Sequence, residues 1–353
     1  MFIPKYSISP EVLSAISEIS RIQVIVERSR VLPLNELQLK REAMIRMVHT
    51  STSIEGNPLE EYQVDKVLSG MSIAADDKSI IEVKNYQGAL KEVEKLADAG
   101  KKLDEKIILN LHEIAMKGLL PGEKIGKYRP GPIYIVDDLG NGKEKLRYEG
   151  PQAKDLTRLV KELLDWLQKV DKDQIHPLLK AGIFHTQFVH IHPFSDGNGR
   201  VTRLLTNLLL YRDKWDFRKV IVLEEFYNKN RQDYYNALAY GWDSKFHTGA
   251  DLTDWIEYFM AGFLVEARKV AQKISSIGLN KTHDKASTIY LDPVEVKIMD
   301  YLATSQQLRS DDVMKLLKVS KRTSQLKLKG LVDKKLIKPK EKGPATYYVL
   351  TEV

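Results

Sequence analysis

The chain has 353 residues, 43% of them hydrophobic and 29% charged, an ordinary globular composition that excludes disordered, collagen-like and low-complexity classes. Cysteine is absent, which removes disulfide scaffolds, thiolate zinc sites and cysteine nucleophiles together. The net charge of +7 is unevenly placed, because Lys281 to Val353 carries 15 Lys and Arg against 9 Asp and Glu, so a basic module follows a nearly neutral body.

Met1 to Pro10 lacks a basic region followed by an apolar core, so no secretory signal is expected. No run approaches the roughly 18 apolar residues of a membrane span, which makes a cytoplasmic protein without membrane contact the expectation. Helical spacing dominates the first 280 residues. Val12, Ile16, Ile19 and Ile22 recur at three or four, as do Ile108, Leu111 and Ile114. Leu156, Leu159, Leu163 and Leu164 repeat the pattern, and so do Trp255, Tyr258, Phe259 and Phe263. Such stripes are the inward faces of packed helices.

Between Gly126 and Tyr148 the rhythm breaks. Tyr128, Ile133, Tyr134, Ile135 and Val136 precede the turn-like Leu139-Gly140-Asn141-Gly142, a pattern that predicts a β-hairpin able to hold an extended peptide by strand addition. Residues 278–290 are polar and aperiodic and read as a linker. Beyond it, Val294 to Ala303, Ser310 to Leu317 and Ser320 to Val332 read as short helices, and Ile337 to Val349 as a two-stranded wing around Gly343-Pro344. The expected division is an N-terminal helical segment over 1–100, a core over 101–277, the linker, and a small module over 291–353.

The sharpest chemistry lies at His192-Pro193-Phe194-Ser195-Asp196-Gly197-Asn198-Gly199-Arg200-Val201-Thr202-Arg203, followed by the apolar helical run Leu204 to Leu210. Gly197, Asn198 and Gly199 tolerate the tight conformations that aim successive backbone N–H groups at one point. A helix starting there adds its unpaired N–H groups and its dipole to an anion site. Arg200 and Arg203, three apart, can emerge on one side of that helix, and together these features describe a polyphosphate cradle. His192 suits a general base, and a lone carboxylate, Asp196, suits Mg²⁺ that takes its other ligands from phosphate and water. Thr202 stands where a dinucleotide fingerprint needs its third glycine, and Gly122 to Tyr128 lacks Walker A spacing. His185, His190 and His192 fit no common zinc spacing. A structural helix cap with histidines nearby by chance is the bland alternative.

The stretch resembles the signature of the Fic family, His-x-Phe-x-(Asp/Glu)-Gly-Asn-Gly-Arg-x-x-Arg, with every defined position filled. Gly126-Lys127-Tyr128-Arg129, leading into Ile133, Tyr134, Ile135 and Val136, is similar to the family's target-positioning flap. Tyr234-Tyr235, followed by Leu238 and Trp255, resembles the helices after the motif. Ser51-Thr52-Ser53-Ile54-Glu55-Gly56 matches the family's inhibitory (Ser/Thr)-x-x-x-Glu-(Gly/Asn) segment. The resemblance covers roughly Ile3 to Ala271.

It implies transfer of AMP from ATP to a Ser, Thr or Tyr hydroxyl of a target protein, and of the chain itself. His192 would deprotonate the hydroxyl, Phe194 would anchor the loop, and Asp196 would hold Mg²⁺. Gly197, Asn198 and Gly199 would form the anion hole, with Arg200 on the phosphates and Arg203 on the γ-phosphate. Tyr234 and Tyr235 would be either adenine-side residues or packed core tyrosines. Ser51 and Glu55 would belong to the inhibitory segment, with Glu55 restraining Arg203. Homodimers occur in the family, but no residue pattern here decides for one.

The tail resembles a winged helix-turn-helix, with Ser320 as N-cap and Lys321, Arg322, Lys327 and Lys329 on the second helix. Such modules bind DNA or protein. The expectation is therefore a mostly α protein with a hairpin flap and a small winged C-terminal domain, an autoinhibited protein adenylyltransferase. Its rival is a DNA-binding regulator whose Fic domain only senses nucleotide.

Overall fold

The computed structural model describes residues 2–29, 31, 33–138, 144–173, 175–242, 244–279, 291–341, 343 and 346–351. The first helices are α1 (Pro10–Arg28), α2 (Pro33–Ile54), α3 (Glu61–Leu68), α4 (Asp77–Asp98) and α5 (Glu105–Met116). Their starts are chemically marked. The side chains of Ser9, Asp76 and Asp104 accept from Val12, Ser79 and Ile107 N–H, each satisfying a donor that the helix itself leaves open. The hairpin follows as β1 (Tyr134–Asp138) and β2 (Glu144–Glu149), antiparallel, with Tyr134 opposite Glu149 and a register shift after Ile135. Its expected turn at Leu139 to Gly142 lies outside the described residues.

Then come α6 (Leu156–Asp173), α7 (Pro177–Ile191), α8 (Asn198–Arg212), α9 (Leu223–Lys229), α10 (Arg231–Ala239) and α11 (Thr253–Leu279). α7 and α8 are buried around almost their whole circumference, which only a central position allows. α7 packs on α8 and α6, α4 covers α8 from another side, and α1 lies along α11. The expected stripes supply this core: Val12, Ile19, Ile22, Ile108, Leu111, Leu159, Leu163, Trp255, Phe259 and Phe263 are all buried in one cluster.

Most of the linker, residues 280–290, lies outside the described residues. Beyond it stand α12 (Pro293–Ser305), α13 (Ser310–Leu317) and α14 (Lys321–Asp333), then β3 (Ile337–Lys340) paired antiparallel with β4 (Tyr347–Leu350). Ser320 caps α14, accepting from Thr323 N–H at 3.3 Å. Asp292 and Glu295 form a reciprocal capping box at the start of α12. A second buried cluster, including Ile298, Leu302, Leu308, Val313, Leu328 and Leu331, holds these elements together. It also contains Leu37 of α2, so the first third of the chain supplies a residue to the core of the last. Lys40 of α2 pairs with Asp300 at 3.2 Å, and Arg41 donates to Gln306 Oε1 at 2.7 Å. Among the described residues no helix is long and apolar enough to cross a membrane.

Candidate active site

The site is built where α7 ends and α8 begins. His192 closes α7 in the left-handed region, φ 48° and ψ 58°, and its N–H still bonds Phe188 O at 3.2 Å. The loop then turns through Gly197, whose φ of 81° favours glycine and where a Cβ would meet Met116 Sδ at 2.6 Å. Asn198 clamps this loop from inside, accepting from Phe194 N–H at 2.9 Å and donating to Phe194 O at 2.8 Å. Phe194 is fully buried and stacks on His112, ring centroids 3.8 Å apart.

His112 joins two functional segments. Gly126 N–H, at the entrance to the flap, donates to its Nδ1 at 2.9 Å, which leaves the proton on Nε2 to reach Asp196 O at 3.1 Å. Burial pushes its pKa down to about 4, so the ring stays neutral and the tautomer stays fixed. Arg129 does similar work below the loop, donating from Nε to His192 O at 2.8 Å and from Nη2 to Pro151 O at 2.6 Å.

The His192 ring is oriented by the backbone. Its Nδ1 lies 2.9 Å from Val189 O, and only a protonated nitrogen can face a carbonyl oxygen, so Nε2 carries the lone pair. Burial lowers its pKa below the ordinary histidine value, which keeps that lone pair available. His192 borders a cavity of about 510 Å³, together with Glu55, Ile135, Val136, Gly199, Arg203, Tyr234 and Tyr235. Ile133 and Tyr134 do not line it, and Tyr134 is 54% exposed. Asp196 does not line it, and its side chain is 54% exposed.

Opposite His192 lies the end of α2. Helix ends at Ile54, and Glu55 follows in a turn closed by Gly56 at φ 95°. Arg203, 2% exposed, donates from Nε to Ser51 Oγ at 2.7 Å and from Nη2 to both Ser51 O at 2.9 Å and Glu55 Oε1 at 2.7 Å. Burial alone would raise the Glu55 carboxyl, but Arg203 and then Arg200 hold it below its ordinary value. A side chain at Gly199 would collide with that carboxylate. From α10, Arg231 donates to Ser53 Oγ at 2.7 Å, and Tyr235 OH to Ile54 O at 3.1 Å.

Tyr234 is buried with its hydroxyl 3.0 Å from His185 Nε2, whereas Tyr235 is half-exposed, and both border the cavity. Arg200 does not line the cavity that Arg203 borders; it donates to Glu82 Oε1 at 2.6 Å and to Asp196 Oδ1 at 3.1 Å. The histidines go separate ways: His185 bonds Thr206 and Tyr234, and His190 faces Thr186 O and stacks on Trp242 at 4.0 Å. Among the described residues no group of three or more His, Asp or Glu is gathered to hold a metal ion. Sequence reasoning missed His112, Glu82 and Arg231. His112 sits beside Leu111 in a recognised apolar stripe, but Glu82 and Arg231 lie in segments with no distinguishing pattern.

Residues 102–210 match the model of the Fic/DOC family. The chain is 30% identical over 214 residues to "Protein adenylyltransferase Fic" of Nematostella vectensis, covering 59% of this chain and 46% of that protein. It thus spans less than half the length of that curated relative. A crystal structure of a Fic family protein from Desulfovibrio desulfuricans G20 aligns over 100% of this chain and 99% of its own, with TM-score 0.64 and 29% identity. A Fic domain-containing signaling protein from Bacteroides thetaiotaomicron shares the fold at TM-score 0.61 and 21% identity, over 74% of this chain and 98% of its own. The complete motif and the clamped loop both lie within or against residues 102–210, the stretch that matches the Fic/DOC family model.

Proposed function

We propose that the protein transfers AMP from ATP to a hydroxyl side chain of a target protein. The observation that carries this reading is the position of His192 and Arg203 on one cavity, a neutral base and a guanidinium 11 residues apart on either side of the anion loop. In the reaction the target oxygen attacks the α-phosphorus, its proton passes to His192 Nε2, and the bond to the departing pyrophosphate breaks. The unpaired N–H groups at the start of α8 bind phosphate oxygens, and Arg203 holds the γ-phosphate. Ile135 and Val136 on the cavity rim would align an extended target segment beside β1.

Asp196 fits a Mg²⁺ ion in its donor chemistry, being a single accessible carboxylate beside a phosphate site. The ion, when bound, would neutralise charge on the phosphates. Glu55 restrains the enzyme by occupying the Arg203 guanidinium on the cavity wall. The experiment is incubation with labelled ATP and Mg²⁺, comparing the wild type with Glu55→Gly. Covalent label on protein, stronger in the variant, supports the reading. Reversible ATP binding without label would indicate a nucleotide sensor instead.

For α13, α14, β3 and β4 we infer a winged helix-turn-helix that contacts DNA through α14. Support comes from Lys321, Arg322 and Lys329, which are exposed on that helix, while Lys327 is engaged by Asp292 at 2.7 Å. Retention on duplex DNA that falls steeply with salt tests it. Indifference to DNA at low salt would leave a protein-binding module.

A further inference from the structure

Arg200 is enclosed, with 7% of its side chain exposed, and it lies between two carboxylates. Glu82 Oε1 accepts from its Nη1 at 2.6 Å, and Asp196 Oδ1 accepts from its Nη2 at 3.1 Å. Asp196 Oδ1 also accepts from Gly197 N–H at 2.5 Å, so this oxygen is committed to the protein. No donor among the described residues is bonded to Oδ2. Glu82 is itself held: its Oε2 accepts from Asn57 Nδ2 at 2.8 Å, and Asn57 also donates to Ser79 O at 3.1 Å. Glu82 stands on α4, outside the residues that match the family model.

The shorter contact belongs to Glu82 and the longer to Asp196. Coulomb attraction rises as distance falls, so Glu82 makes the stronger of the two contacts. The geometry points to Glu82 as a positioning residue that keeps Arg200 from competing with Mg²⁺ for Asp196. This rests on the reading of Asp196 as the metal-binding carboxylate. Without the Glu82 charge, Asp196 is the one carboxylate among the described residues that Arg200 still hydrogen-bonds, and the two close into a tighter ion pair. A cation must then displace a guanidinium to reach the carboxylate. Outer-shell partners of this kind typically alter metal affinity by about 10–100-fold.

The test uses the full chain carrying Glu55→Gly, with Glu82→Gln as the isosteric change that retains hydrogen-bonding capacity. Two quantities are followed: the Mg²⁺ concentration for half-maximal transfer, and calorimetric ATP binding with and without Mg²⁺. Glu82→Gln is expected to raise the Mg²⁺ midpoint about tenfold in both measurements, while metal-free ATP binding stays equal or tightens. Glu82→Asp should fall between the two. Glu82→Gln combined with Arg200→Gln should return the binding midpoint toward the parent, because the competing guanidinium is gone. A lower maximal rate with an unchanged Mg²⁺ midpoint overturns the proposal and makes Glu82 a structural tie. A midpoint that stays raised in the double variant overturns the competition. If the Glu55→Gly parent transfers AMP without needing Mg²⁺, the metal reading of Asp196 fails first, and the proposal with it.

Discussion

His192 draws its reactivity from one backbone contact. Because Val189 O accepts a hydrogen bond from Nδ1–H, the ring leaves the Nε2 lone pair free of that proton. Replacing His192 with Ala is expected to lower transfer about 10²–10⁴-fold while ATP binding changes little, since in the proposed reaction the loop and Arg203 would hold the phosphates. Transfer within a few-fold of wild type, measured with labelled ATP, would remove His192 from the proton transfer. The pH dependence has a definite sign. Burial lowers the His192 pKa, so the active neutral form persists below the ordinary histidine range, and the acid limb of kcat/KM should fall below about pH 6.5. The Glu55 carboxylate opposes this shift by favouring the imidazolium, so the limb in Glu55→Gly should lie lower still. A limb that moves upward in that variant would contradict the electrostatics. Glu55→Gly should also raise the rate itself. Breaking a partly buried pair involves about 3–5 kcal/mol, part of it from the stranded partner, and relief of even about 1.4 kcal/mol gives about tenfold more transfer. Full activity in Glu55→Gly with Arg203→Ala would take Arg203 out of γ-phosphate binding.

At the scale of elements, the loop between α7 and α8 is a rigid part held by side chains from elsewhere. Asn198 closes it on itself, His112 of α5 ties it to the flap entrance, and Phe194 plugs it into the core. Asn198→Ala strands the Phe194 N–H and C=O in a buried place, so the loop must move to find partners. A displacement of about 1 Å at a catalytic loop can cost about 10²-fold in rate, and a loss of that size in a folded, ATP-binding Asn198→Ala protein is the expected result. Helix α2 is the other decisive element. Its C-terminal end is gripped by Arg203, Arg231 and Tyr235, while Leu37, Lys40 and Arg41 near its start are gripped by α12 and the residues after it. A helix of 22 residues held at both ends transmits a loosening at one to the other. Lys40→Asp should therefore raise transfer modestly, and Asp300→Lys in the same chain should restore the low rate. An effect that survives in the Glu55→Gly background would show that it does not run through the Arg203–Glu55 pair.

In the whole molecule the basic C-terminal module is not independent of the body. Removing residues 291–353 uncovers Leu37, whose burial is worth about 1.5–3 kcal/mol, and leaves Lys40 and Arg41 without Asp300 and Gln306. The truncated protein should lose DNA retention and also show raised transfer together with a lower melting temperature. Transfer equal to that of the full chain would mean that α2 keeps its seat without the module.

The sequence by itself determined the local parts: the apolar stripes, the hairpin, the three short helices of the tail, and the motif from His192 to Arg203. Each depends on residues within a few positions of one another, where periodicity, capping and glycine placement act directly. The contact of Ser51 and Glu55 with Arg203 was legible too, because the two residues lie in one short pattern. What only the tertiary structure decided were the partnerships across the chain. Glu82 and Arg200 are 118 residues apart and His112 and Asp196 are 84 apart, while Leu37 packs among residues near the far end. Glu82 is one exposed-looking acid among many on its helix, and nothing local separates it from a solvated carboxylate. Its role comes from α4 packing on α8, and that packing is set by the sum of many buried side chains that no short stretch encodes.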